Sequence, residues 1–246
     1  MKLTKIIASA FILLATSVVS FAQTADEIVA KHIEAIGGAE KWKALKAMEM
    51  NNKFNVQGMD IESKTVIVNG KSLRTDIAVM GQEIISAVDG ETGWAQQPAM
   101  MGGSGEPEDM PGALVKESRK QVNLGGSLLN YKENGSTVNL LGKEKLDGVD
   151  VYHLKLTEKS GDITNLFLSA TNYYILKSSG KRNVQGKEIE AEVSYSNFKQ
   201  IEGLTFPYTT EVPNPMEAGK TMTIETDTIK LNPKIDESIF KKPAKK

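Results

Sequence analysis

Ile61-Glu62-Ser63-Lys64-Thr65-Val66-Ile67-Val68-Asn69-Gly70-Lys71-Ser72-Leu73-Arg74-Thr75-Asp76-Ile77-Ala78 is the stretch that decides the fold. Two runs rich in β-branched residues flank Asn-Gly. That dipeptide accepts the positive φ values of a tight two-residue turn, so Ile61–Val68 and Lys71–Ala78 read as an antiparallel hairpin. Upstream, Met48 to Val56 repeats the alternation, with Met48, Met50, Phe54 and Val56 as its apolar set. Downstream, Glu83 to Val88 runs into Asp89-Gly90, a second hairpin signal, and Gly93 to Gln97 returns from it. Strands joined by turns this short are neighbours in space, so the first half is a meander.

The same grammar resumes after residue 136. Thr137 to Gly142 pairs with Val149 to Thr157 across Asp147-Gly148, and Tyr152, Leu154 and Leu156 share a face opposite His153 and Lys155. Ile163–Leu168, Tyr174–Arg182, Lys187–Phe198 and Leu204–Val212 follow, the last with Pro207 at an edge or bulge. Met222 to Leu231 closes the sheet, and Ile239-Phe240 fastens the tail. Helices are few. Thr24 and Glu27 form a capping box ahead of Ile28, Val29, His32, Ile33 and Ile36 at helical spacing, and Gly37-Gly38 stops that helix. A short helix from Ala39 to about Leu45 carries Trp42, and Ala113–Val122 is a third. Between the halves, Pro98 to Gly112 combines Met100 and Met101 with glycines and charge, an apolar and flexible interruption of the kind that often carries function. About eleven strands and three helices without long crossovers describe a mainly β, α+β chain. A barrel, a sandwich and one large curved antiparallel sheet wrapped around helices are the choices, and the curved sheet gives the amphipathic helices a face to pack on.

Before this domain lies a targeting segment. Lys2 and Lys5 precede an uncharged run from Ile6 to Phe21, and Ser20-Phe21-Ala22 offers small residues for cleavage between Ala22 and Gln23. Residues 1–22 are therefore read as a signal peptide and 23–246 as one domain. The sequence contains no cysteine. Disulfides, thiol chemistry and a lipidated N-terminal cysteine are thereby excluded, and the expected product is soluble and exported, to the periplasm or beyond. With 30 basic and 31 acidic residues and no basic stripe, nucleic acid is not an expected partner.

No catalytic set stands out. The two histidines, His32 and His153, have no second ligand at metal-binding spacing. Gly103-Ser104-Gly105 lacks the strand-turn-helix setting of a nucleophile elbow. Glu188, Glu190 and Glu192 read as the wet side of a strand. No cofactor or metal is expected. The ten methionines fit an adaptable apolar surface, and a curved sheet with a helical lid could enclose a greasy cavity.

Three stretches carry a family resemblance: Ala25-Asp26-Glu27-Ile28-Val29-Ala30-Lys31-His32-Ile33-Glu34-Ala35-Ile36-Gly37-Gly38 with Trp42; Gly148-Val149-Asp150-Val151-Tyr152-His153-Leu154-Lys155-Leu156 with Leu166-Phe167-Leu168 and Tyr174-Ile175-Leu176-Lys177; and Tyr195-Ser196-Asn197-Phe198 leading into Gly203-Leu204-Thr205-Phe206-Pro207. In these the chain resembles the LolA-like and LolB-like periplasmic lipoprotein carriers, in the form called outer membrane lipoprotein-sorting protein. The resemblance implies a half-barrel of about eleven strands covered by helices. It also implies a non-enzymatic, monomeric carrier that holds acyl chains of lipoproteins or other lipids and meets envelope membrane proteins for loading and delivery. The missing cysteine favours a soluble carrier over a lipidated receptor. The lining implied is Phe54, Val56, Ile67, Leu73, Ile85, Trp94, Leu154, Leu156, Phe167 and Tyr195, with Met100, Met101 and Leu114 at the lid. Arg74 is the candidate for the family's lid arginine, with Arg119 as its competitor. A scaffold that binds protein partners and an envelope hydrolase are the rival readings.

Overall fold

The computed structural model describes residues 23–184, 187–214, 217 and 219–244, without the side chains of 182–190. The expected signal peptide, and the side chains of Glu188 and Glu190, lie outside the described residues. Among those described, Ala25–Ala35 (α1) and Ala39–Ala44 (α2) precede five strands: Ala47–Val56 (β1), Met59–Val68 (β2), Ser72–Val79 (β3), Gln82–Asp89 (β4) and Thr92–Gln96 (β5). Glu108–Asp109 (β6) and Gly112–Arg119 (α3) follow. The second half comprises Thr137–Leu146 (β7), Val149–Thr157 (β8), Ile163–Ser169 (β9), Ile175–Val184 (β10), Lys187–Ile201 (β11), Leu204–Pro213 (β12) and Thr221–Leu231 (β13). A 3₁₀ turn, Glu237–Phe240, ends the chain's ordered elements.

All thirteen strands form one antiparallel sheet in the order β6-β5-β4-β3-β2-β1-β13-β12-β11-β10-β9-β8-β7. The sheet is an open, curved half-barrel: two meanders joined by the pairing of β1 with β13, with β6 and β7 as free edges. The strand count exceeds the expected eleven. One strand the sequence did not announce is β6, two residues in the Pro98–Gly112 stretch that pair with Trp94 and Ala95. Both edges are blunted. β6 is very short, while β7 carries a bulge at Leu141 and the exposed charges Lys143, Glu144 and Lys145.

The turns follow from residue chemistry. Asp147 and Gly148 take positive φ, at 50° and 84°, as a two-residue turn between the paired Leu146 and Val149 requires. The β2–β3 turn is one residue longer than Asn-Gly alone: Val68 pairs with Ser72, and of the loop residues Asn69, Gly70 and Lys71 it is Gly70 that takes positive φ, at 71°. Thr24 caps α1, its hydroxyl accepting from Glu27 N at 3.2 Å while Glu27 accepts from Thr24 N at 2.8 Å. Gly37 ends α1 against the β11–β12 turn. Its φ is +117°, and a Cβ there would lie 2.2 Å from the Gly203 carbonyl, so only glycine fits. That close approach lets Thr205 N donate to Ile36 O at 3.0 Å, and Trp42 Nε1 donates to the same carbonyl at 3.1 Å.

Two buried clusters bind the helices to the sheet. Trp42 and Leu45 from the α2 region, with Val115 and Val122 from α3 and the segment after it, pack on Met48, Ile67, Leu73, Val88, Leu204, Phe206 and Tyr208. Ile28 and Val29 of α1, with Leu128 and Tyr131, pack on Leu154, Leu156, Leu166 and Leu168.

Candidate functional site

Residues paired across an antiparallel ladder share a face, so the registers sort the expected lining residues. Met48 pairs with Ile67, Ile67 with Leu73 and Leu73 with Val88; all four belong to the cluster under α2 and α3. Continuing along β1 on the same side come Met50, Phe54 and Val56, with Phe54 paired to both Ile61 and Ile224. Tyr195 pairs with Thr210 and Thr210 with Ile224, which places Tyr195 on this face as well. Leu154 and Leu156 are there too, beneath α1 and fully buried. The structure thus brings Phe54, Val56, Ile67, Leu73, Leu154, Leu156 and Tyr195 onto the helix-bearing face.

Arg74, Ile85, Trp94 and Phe167 are on the opposite face. Arg74 pairs with Ala87 and Ala87 with Trp94, one position out of phase with Leu73, Val88 and Gly93. Asp76 pairs with Ile85. Phe167 pairs with His153, their rings stacked 4.4 Å apart, and His153 also meets Glu144 at 3.3 Å and Asn165 at 3.1 Å. Arg74 holds the chain's tail: it donates to Ile239 O at 2.6 Å, pairs with Asp76 at 2.6 Å, and lies over the Trp94 ring at 5.6 Å. Trp94 Nε1 donates to Phe240 O at 2.8 Å. This arginine and this tryptophan therefore form a tail latch across β3 to β5, on the side away from the helices.

The helix-bearing face has two unequal parts. Under the helices it is filled. Toward the β1–β2 turn, Phe54, Val56, Ile77, Ile84, Val212, Met222 and Ile224 are half-buried and belong to neither helix-sheet cluster, with buried Ile61 and Val79 among them. This is an apolar strip running across several strands of a curved sheet. The Pro98–Gly112 segment folds back at the end of β5: Gly105 N donates to Gln97 O at 3.0 Å and Gln96 Nε2 to Gly105 O at 3.0 Å. Met100, Met101 and Leu114 are exposed.

His32 lies on the inner side of α1, 5 % exposed. Its Nδ1 is 2.8 Å from the Tyr173 carbonyl, which only accepts, so Nδ1 carries the proton. Burial pushes the imidazole pKa below its ordinary value, and the Tyr173 contact opposes that less strongly. The unfolded chain then binds a proton before the folded one does. The His32 contribution to stability is constant above the ordinary imidazole pKa of about 6.5 and falls as pH drops below it, by at most about 1.4 kcal/mol per pH unit for this one proton. Urea unfolding between pH 7 and 5 will show this slope, and His32→Gln will reduce it.

A family profile described as an uncharacterized protein matches residues 117–244, just over half of the chain. The chain belongs to that family. Its fold is LolA-like, as three solved structures show. A LolA superfamily protein from Nitrosomonas europaea is 18% identical with a TM-score of 0.57, over 90% of this chain and 99% of its own. A DUF1329 family protein from Desulfovibrio piger is 14% identical with a TM-score of 0.58, over 89% and 98%. A domain described as an outer membrane lipoprotein-sorting protein, from Vibrio parahaemolyticus, is 17% identical with a TM-score of 0.51, over 87% and 94%. No curated protein sequence matches. At these identities the likeness of the LolA-like sheet is one of fold.

Proposed function

We propose that this chain is an exported, non-enzymatic carrier that binds the acyl chains of a lipoprotein or another lipid on the helix-bearing face of its half-barrel. The observation that carries the reading is the apolar strip around Phe54, Val56, Ile61, Ile224 and Met222. Such a surface, left free of the helices on a curved sheet, is costly to hydrate and shaped to hold an elongated apolar ligand. The LolA-like fold and the lipoprotein-sorting description of one structural neighbour support it. No helix of the described residues is long and apolar enough to cross a membrane.

In this reading residues 1–22 direct export and are removed, and 23–246 act as one monomeric domain in the periplasm. Tyr195 borders the strip. Ile67, Leu73, Leu154 and Leu156 line its continuation beneath the helices, reached only if those helices yield. Met100, Met101 and Leu114 are the exposed groups that meet the ligand or an envelope membrane protein during delivery. A fluorescent monoacylglycerol, a neutral probe, will bind the mature chain saturably at one site and be displaced by unlabelled lipid. Absence of saturable binding would contradict the reading.

A further inference from the structure

At the other end of the sheet the structure holds a cleft of about 670 Å³ with a different character. The β2–β3 turn residues Asn69 and Gly70 line it, whereas Phe54 pairs with Ile61 toward the far end of β2. Its other walls are α2, the C-terminal half of α3, the segment from Asn123 to Ser136 and the β8–β9 turn. The volume lies in the range of small-molecule sites.

Five cations line this cleft. Arg119 pairs with Glu91, and Lys120 with Asp162 and Glu117 at 3.2 Å each. Lys43, Lys116 and Lys159 come from three separate elements and form no ion pair within 4 Å among the described residues, although the Lys120 hydrogen bond, with the field of Lys116, helps hold the Asp162 carboxyl below its usual range. Cations in the last turn of α3 complement the helix dipole, which explains Lys116, Arg119 and Lys120 as helix residues. It does not explain why Lys43 and Lys159 converge on the same space. Glu158 is the one lining carboxylate without an ion pair among the described residues, so the uncommitted charge is positive. Asn123, Asn130 and Asn134 add side-chain amides that make no hydrogen bond among the described residues. Trp42, Leu124 and Leu129 supply an apolar wall continuous with the core beneath.

We propose that this cleft is a second binding site that takes a phosphate-bearing group. The ammonium groups of Lys43, Lys116 and Lys159 meet the phosphate oxygens, and the asparagine amides meet neighbouring hydroxyl or ester oxygens. The phosphate chemistry fits either a phospholipid head or a free phosphoryl compound.

Calorimetric titration of the mature chain with glycerol 1-phosphate and, separately, with a short-chain phosphatidylglycerol below its micelle concentration tests the proposal. The comparison variant is Lys43→Gln/Lys116→Gln/Lys159→Gln; all three side chains are exposed, so its Tm should match the wild type. The expected result is binding of at least one probe, weakened about tenfold or more in the variant. Binding of both probes assigns the site to the phosphoryl group itself, and binding of the lipid alone assigns it to a phospholipid head. No binding of either probe, or equal binding by the variant, overturns the proposal. Uptake of the neutral monoacylglycerol, measured in parallel, reports on the apolar strip alone, so either site can fail without the other.

Discussion

Phe240→Ala will lower the free energy of unfolding by about 3–5 kcal/mol and leave monoacylglycerol binding unchanged. Phe240 is 2 % exposed although it lies only a few residues from the end of the chain. The 3₁₀ turn Glu237–Phe240 packs on β3 and β4. The carbonyls of Phe240 and Ile239 accept from Trp94 Nε1 and Arg74, and Lys71–Glu237 at 2.5 Å and Lys242–Asp109 at 2.9 Å flank the turn. Removing the ring leaves a void on the face of β3 to β5 and loosens the segment that satisfies the buried Trp94 N–H. Because this latch is on the face away from the helices, the apolar strip stays intact. Urea denaturation and probe titration of the same variant give the two readings; a loss of binding without a loss of stability would show that the two faces had been assigned the wrong way round.

Phe54→Asn reverses the pattern. Phe54 is half-buried, so its replacement costs about 1–2 kcal/mol of stability, whereas monoacylglycerol affinity falls about tenfold or more because an amide now interrupts the strip. Leu154→Asn is the contrast. It places a polar group in a fully buried site beneath α1, and the expected loss there is one of folding, about 4 kcal/mol or more. Thermal unfolding and probe titration of both variants separate a ligand-facing residue from a core residue on the same face.

The strand order was legible because the turns are written in local chemistry. Asn69-Gly70 and Asp147-Gly148 fix their hairpins, and Thr24 with Glu27 fixes the start of α1. Leu154 and Leu156 could be oriented because polar residues alternate with them in β8. Ile84-Ile85-Ser86-Ala87-Val88 and Leu166-Phe167-Leu168 offer no such contrast, being apolar on both faces. For Ile85 and Phe167 the sequence could not give the side, and a one-residue change of parity moves a side chain through the sheet. Trp94 and Arg74 were misleading for a related reason: the tail that makes their face an interior arrives from residues 237–240, far along the chain. The lysines of the polar cleft left no local signal either, since Lys43, Lys116 and Lys159 meet only when the meanders are joined through β1 and β13. The helices were expected to cover the half-barrel; the clusters show them filling part of one face, and the apolar strip is what they leave.

Native mass spectrometry of the mature protein, purified from its own cell envelope and followed by organic extraction, tests the carrier reading most directly. The account predicts a stoichiometric adduct that extraction identifies as a lipid or an acylated peptide, and its loss in Phe54→Asn. A clean apo mass, with no uptake of lipids offered afterwards, would contradict it.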